Sequence, residues 1–355
     1  MTKRNTEIEL ARSPKISLII GAYDGHREVY FDLFSHLLPS SVRVPVSPPL
    51  HTLWGARDPI LFLTLDDHPL RFVIAATLRS VVGRRTVALF LRPGECFLRG
   101  RLKCRLKRVI FRVVSKLPRT AILTILPFSV EPRFAQVATD WIADPHLWDL
   151  SVIAPPQATG IDELPKTVRD AAAGRCVVLA LGGQSRIKGF DFFSHLWCHS
   201  AQIRKKFLFC AAGAVAPECK SAMERMRAAG GLVIDRRLEN IELLNLYEHA
   251  DIVWSVYAPD YDQASGIFGR AFQFDIPSIV RLGSFLDKLA VEYDYKCLAV
   301  PFDDSAEAAA RLLTWKFVRR DPTQNRRHVN ALRARSLKIL EKSLLTYINT
   351  DDGQS

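Results

Sequence analysis

The sequence predicts an α/β protein made of two doubly wound, Rossmann-like domains. Short apolar runs of strand length alternate with helix-length segments along nearly the whole chain, the order that builds a parallel sheet with helices on its faces. At 355 residues the chain exceeds what one hydrophobic core usually sustains. A connector from Ala154 to Gly174, carrying Pro155-Pro156, Gly160, Pro165 and a run of alanines, parts two such series. The expected division is residues 1–155, residues 175–320, and a basic-amphipathic tail helix in 321–355 that packs back towards the first domain.

In the first series, strands are expected at Ile16 to Gly21, Val42 to Val46, Ile60 to Leu65, Thr86 to Leu91 and Ala121 to Leu126. Helices are expected at Arg27 to Leu38 and from Pro69 to Ser80, Pro69 standing where a first helical turn has no N–H bond to lose. The aromatic segment around Trp141, Trp148 and Val152-Ile153 completes the half. In the second series, strands are expected at Cys176 to Leu181, Phe207 to Cys210, Gly231 to Asp235, Asp251 to Tyr257, Ser278 to Arg281 and Cys297 to Val300. One helix is expected over Phe190 to Ile203, with others around Pro217 to Ala229, Leu238 to His249, Phe285 to Glu292, Ser305 to Leu313 and Asn325 to Ile348.

A hydrophobic content of 48% excludes a largely disordered chain. The seven cysteines include no Cys-x-x-Cys pair and read as reduced core residues of a cytoplasmic protein, neither disulfide staples nor zinc ligands. No signal-type leader and no apolar run of membrane-span length is present, so a cytoplasmic protein, soluble or peripheral on the inner face of the plasma membrane, is expected. Net charge is +12, and residues 1–160 hold 22 Lys/Arg against 13 Asp/Glu. Arg99 to Arg119 contains nine Lys/Arg and no acid. Within it Leu98, Leu102, Leu106, Val109, Ile110, Val113, Val114 and Leu117 recur at helical spacing as one stripe. Such a helix either lies on an anionic bilayer or packs its stripe on the core with a solvated basic back. The charge alone suggests nucleic acid, but no aromatic-basic strand face, zinc motif or helix-turn-helix accompanies it, and nucleic acid is not an expected partner.

Four loops at strand ends carry the candidate chemistry. Gly21 and Gly25 with His26 follow the first strand. Asp66-Asp67-His68 follows the third, where a carboxylate beside an imidazole suits proton chemistry or sugar hydroxyls, or else simply caps the next helix. Gly182-Gly183-Gln184-Ser185-Arg186-Ile187-Lys188-Gly189 follows Cys176 to Leu181, and two cations on such a loop suit a diphosphate whose developing charge they stabilise. Finally, Asp262 to Gly269 opens a helix that Pro277 stops; helix N-terminal amides there can hold a phosphate or hydroxyl, or the glycines merely permit tight packing.

The last two loops together resemble the signature of retaining glycosyltransferases with two Rossmann-like domains facing across a cleft, the GT-B fold, glycosyltransferase group 1. Lys188-Gly189 match the family's Lys-Gly pair, with Arg186 standing in for an arginine that the family places where Gly183 falls. Aligned on Pro277, Asp262 occupies the place of the family's first Glu and Arg270 that of its second. The resemblance implies transfer of a sugar from a nucleotide-diphosphate sugar, with retention, to a saccharide acceptor, with no cofactor beyond the donor and no catalytic metal. Lys188, Arg186, Asp262 and His68 would be catalytic. Gly182, Gly183, Ser265, Gly266, Ile267, Phe268, Gly269 and Arg270 would bind the donor. Gly21, His26, Asp66, Asp67 and Arg92 would meet the acceptor. The charge run adds a lipid-linked acceptor at an anionic membrane, as in polysaccharide or glycan biosynthesis. The alternative, raised by Arg270 in place of an acid, is a catalytically inactive binding or scaffolding protein of the same fold.

Overall fold

The structure is a computed structural model that describes residues 15–23, 25–44, 49–98, 100–154, 163–317 and 322–345. Arg99, residues 155–162 of the connector and the end of the tail helix lie outside the described residues, as does the side chain of His26. The chain divides into two compact units, Met1–Ile153 with Asn330–Ser355, and Ala154–Val329.

The first unit is a six-stranded parallel sheet of order β2-β1-β3-β4-β5-β6. Its strands are β1 (Ser17–Ile19), β2 (Val42–Val44), β3 (Ile60–Phe62), β4 (Thr86–Phe90), β5 (Thr120–Thr124) and β6 (Asp140–Trp141). Helices α1 (Gly25–Leu37), α2 (Leu50–Gly55), α3 (Pro69–Val81) and α4 (Leu102–Val114) connect them. Ile60, Phe62, Ala88, Phe90 and Ile122 share one core with Phe72, Ala75 and Ala76 of α3 and Phe111 and Val114 of α4. Helix α2 was not anticipated, because Pro48-Pro49 and Gly55 crowd a segment too short to show a period. Arg79 is fully buried on α3 and donates to the carbonyls of Leu53, Ala56, Asp58 and Arg85 and to the Thr86 hydroxyl, so four backbone carbonyls and one hydroxyl surround a buried guanidinium.

The second unit repeats the plan with order β12-β11-β10-β7-β8-β9, every pairing parallel. Its elements run α5 (Glu163–Ala172), β7 (Cys176–Leu181), α6 (Phe190–His199), α7 (Ala201–Lys206), β8 (Phe207–Ala212), α8 (Lys220–Ala228), β9 (Leu232–Ile234) and α9 (Asn240–Glu248). They continue through β10 (Ile252–Ser255), α10 (Gly266–Gln273), β11 (Ser278–Arg281), α11 (Phe285–Glu292), β12 (Cys297–Val300), α12 (Ser305–Thr314) and α13 (Pro322–Leu345). The central strands are covered on both faces and read as unbroken apolar runs for that reason. Phe193 of α6 stacks on Phe209 of β8 at 4.7 Å and meets Trp254 of β10 edge-on at 5.1 Å.

The single helix expected over Phe190 to Ile203 is two. Ser200 is extended (φ −117°), and its hydroxyl caps α7 by accepting from the Ile203 amide at 3.2 Å. From Asn330 onward α13 belongs to the first unit: Ser336 accepts from the Ala143 amide at 3.0 Å and Arg335 lies over the Trp141 ring at 4.0 Å. Earlier in the same helix, Asn325 donates to the carbonyls of Phe272 and Gln273 in the second unit. All seven cysteines are unpaired, and Cys96, Cys210 and Cys219 are buried.

Candidate functional site

Each sheet has a point where successive strands depart to opposite sides, and ligands of open α/β sheets bind beyond the strand ends there. In the second unit that point lies between β7 and β10; in the first it lies between β1 and β3.

In the second unit the chain leaves β7 through Gly182, at φ +80°, whose amide donates to the Ala212 carbonyl at 3.0 Å. Gln184 is buried and donates back to the carbonyls of Ala180 and Gly182, which fixes the loop to its own strand. Gly189, at φ +77°, closes the loop against β10: a Cβ there would overlap the Val256 carbonyl. The Ala258 amide donates to Ile187 at 3.1 Å. The loop after β7 is thereby stitched to the chain leaving β10.

This stitching places the Lys188 ammonium over two rings, 4.4 Å from the Tyr257 centroid and 4.3 Å from that of Tyr261. The two ring faces hold the ammonium at the end of the loop after β7 by cation–π attraction. The Tyr257 hydroxyl shares a 2.6 Å hydrogen bond with Ser265, and Ser265 caps α10 by accepting from the Phe268 amide at 3.3 Å. Lysine, tyrosine and helix N-terminus therefore form one connected set. Gly266 and Ile267 open α10, and the Ile267 carbonyl accepts from the Tyr247 hydroxyl at 3.1 Å.

The other residues expected here have different surroundings. Arg186 is exposed and its Nε meets Asp191 in the first turn of α6 at 3.2 Å. Asp262 accepts from the Phe285 amide at 2.8 Å and pairs with Arg281 at 3.3 Å, so it joins its loop to the start of α11. Burial raises the Asp262 pKa, against the pull of the Phe285 amide and Arg281. Arg270 is only 7% exposed, with Phe268, Gly269, Ala271 and Phe272 buried around it on α10. Gly183 is exposed, and a Cβ there would meet nothing. A shallow depression is lined by Tyr257, Tyr261, Asp262, Gln263, Arg281 and Ser284.

In the first unit, Gly21 lies beyond β1 so close to Asp67 that a Cβ would overlap the carboxylate. Asp67 accepts from Arg27 of α1 at both oxygens, each at 2.8 Å. Burial opposes its ionisation, but the Arg27 hydrogen bonds win and its pKa is lowered. Asp66 turns the other way: one oxygen accepts from the Leu91 amide at 2.8 Å and the Arg92 amide at 3.3 Å. Its Oδ1 is buried without a hydrogen-bond partner among the described residues, as is Nε2 of His68. Burial drives the Asp66 pKa up to about 6, although Lys107 draws it down. The capping role that the sequence left open for Asp67 or His68 is not taken up: neither side chain caps α3, and His68 supplies only its backbone. Arg92 likewise reaches the cluster through its amide, with its side chain exposed.

Sequence reasoning missed Tyr257, Tyr261, Arg281 and Arg27. Two tyrosines four apart, just past a strand and just before a serine-capped helix, are a usable signal; Arg27 beside His26 at a helix start was another.

No protein-family model and no curated protein matches the sequence. Solved structures do resemble it. An α,α-trehalose-phosphate synthase (UDP-forming) from Burkholderia vietnamiensis is 10% identical with a TM-score of 0.57, covering 93% of this chain and 98% of that one. HepE from Anabaena, in complex with UDP-glucose, is 14% identical with a TM-score of 0.56, covering 93% and 95%. WaaG, a glycosyltransferase involved in lipopolysaccharide biosynthesis, is 10% identical with a TM-score of 0.52, covering 94% and 100%. The fold is thus the one seen in GT-B glycosyltransferases, two parallel six-stranded sheets each flanked by helices.

Proposed function

We propose that the protein is a glycosyltransferase that moves a sugar from a nucleotide-diphosphate sugar to a saccharide acceptor. The observation that carries this reading is the set of Lys188, Tyr257 and Ser265 at the switch point of the second sheet. Lys188 would meet the diphosphate and stabilise its charge as the bond to the sugar breaks. The amides opening α10 would hold the sugar or its phosphate. Arg186 would reach the diphosphate after exchanging Asp191 for it, and Gly182 and Gly183 would let the donor approach the backbone. The acceptor would be bound by the first unit around Asp66, Asp67 and His68, with Asp66 able to take a proton near neutral pH. UDP is the first nucleotide to try, because the similar Burkholderia synthase is UDP-forming and the Anabaena HepE structure is a complex with UDP-glucose.

The finer parts of the proposal are retention at the anomeric carbon, a lipid-linked acceptor of a polysaccharide or glycan pathway, and work at the cytoplasmic face of an anionic membrane reached through Arg99 to Arg119. Retention is what the resemblance of the Lys188 and Gly266 loops implies, and the basic run supports the membrane parts. A second reading has its own observation: Asp262 is engaged by Phe285 and Arg281, and Arg270 is buried, as in a protein that keeps the fold for binding alone. Release of nucleoside diphosphate from a panel of UDP-, GDP-, dTDP- and ADP-sugars, with and without short saccharides, separates the two. Acceptor-dependent release from one member supports transfer; binding of one member without release at any acceptor supports the second reading.

A further inference from the structure

Helices α3 and α4 lie side by side, and each carries apolar side chains on its solvent face as well as on its core face. On α4 the residues facing the core are Phe111 and Val114, with Cys104, Lys107 and Ile110 at its margin. The predicted stripe is split: Leu102 (77% exposed), Leu106, Val109 and Val113 point to solvent, in line with Leu98 just before the helix. On α3 the charged Arg79 is buried while Leu70, Leu78 and Val81 (85% exposed) face out, followed by exposed Val82. Two neighbouring helices therefore present one apolar face to water, beyond what scattered surface leucines account for.

Cations border that face. Arg101, Lys103, Arg105, Arg112 and Lys116 are exposed and form no ion pair among the described residues. From His68 to Val130 the sequence holds 14 Lys/Arg and a single acid, Glu95, which Lys107 engages at 2.9 Å. A second copy of the same face would bring like charges together, whereas an anionic lipid surface satisfies both the charge and the apolar side chains.

We infer that α3 and α4 form a two-helix platform that inserts Leu70, Val81, Leu102, Leu106, Val109 and Val113 into the headgroup–acyl boundary of an anionic bilayer, with the α4 cations on the headgroups. This deepens the membrane part of the reading above, and rests on it only for what the docked protein does there. The surface potential collects the protein, and apolar insertion retains it, so attachment is weakened by salt without being abolished.

The test is flotation with phosphatidylcholine vesicles, with and without phosphatidylglycerol, in the absence of any nucleotide-sugar. The expected result is selective binding to the anionic vesicles, part of which survives high salt. Leu102→Gln with Leu106→Gln and Val109→Gln, and separately Leu70→Gln with Val81→Gln, should each weaken binding about tenfold or more with every positive charge retained. These positions are exposed, so circular dichroism should show both variants folded. Tryptophan placed by Leu106→Trp should gain quenching from brominated lipid beyond that of the wild-type tryptophans. Binding unaffected by the glutamines and without added quenching overturns insertion. So does a salt-sensitive self-association that the glutamines dissolve in the absence of vesicles, which assigns the face to a second copy. Donor titration in solution, without vesicles, reads the glycosyl-transfer proposal separately, so either can fail alone.

Discussion

The Lys188 ammonium lies 4.4 Å from the centre of the Tyr257 ring, and the hydroxyl of that same ring is 2.6 Å from Ser265, the cap of α10. One tyrosine thus sets both the cation and the helix end that would receive a phosphorylated ligand. Because a cation that meets charge developing on a leaving group acts in the transition state, Lys188→Ala should lower kcat by on the order of a hundredfold with a smaller change in KM. Tyr257→Phe keeps the ring and should leave kcat within a few-fold, at about 1 kcal/mol of stability for the lost hydrogen bond. Steady-state kinetics and thermal melts read the two effects; equal kcat for Lys188→Ala and wild type removes Lys188 from the diphosphate.

Gly21 has no room for a methyl group against Asp67, which Arg27 grips through both oxygens. Gly21→Ala should displace the carboxylate and cost about 1 to 3 kcal/mol. Arg27→Ala should destabilise to a similar degree by leaving a partly buried carboxylate unpaired. A crystal structure of Gly21→Ala with Asp67 unmoved would remove the reason given for glycine there.

Asp66 carries a pH signature. Burial raises its folded pKa to about 6, above that of an unfolded aspartate, so the folded state binds the proton more tightly. Its contribution is therefore most favourable at low pH and is lost as pH rises towards and through 6, a trend opposite to that of Asp67, whose lowered pKa favours the folded state at higher pH. Relative to Asp66→Asn, the wild type should lose about 1 to 3 kcal/mol between pH 4 and pH 6. Urea titrations of both proteins across that range measure it; parallel stabilities would place the Asp66 pKa in the ordinary carboxylate range.

Arg270 is buried, at the position where the glycosyltransferase signature that the sequence resembles has an acid. Arg270→Glu should therefore restore nothing and should cost about 3 kcal/mol or more, since it reverses a charge inside packed structure. Thermal unfolding is the measurement. A variant as stable as wild type that gains nucleotide-sugar turnover would mark Arg270 as a lesion in a once-active site.

Much of the fold was legible because both sheets are parallel: β7 and β12 read directly as unbroken apolar runs, and β11 as a short strand after Pro277, all with the observed bounds. Breaks set by side-chain capping were not legible, as Ser200 between α6 and α7 shows, since a serine inside an apolar helical period carries no period of its own. The stripe on α4 was visible, but not its direction, because Phe111 and Val114 compete with Leu102 and Leu106 for the core and only the packed sheet decides. At the site, Lys188 and Ser265 could be named from the loop pattern. Their link through Tyr257 depends on Gly189 closing against Val256, a contact between segments distant in sequence.

The most direct test of the central claim is calorimetric titration of the folded protein with UDP-, GDP-, dTDP- and ADP-sugars, repeated on a variant with Gly266→Val, which would crowd the opening of α10. The account predicts that one member of the panel binds the wild type and that the variant, still folded, binds it at least about tenfold more weakly. Heat from none of the four, or equal affinity in both proteins, would contradict it.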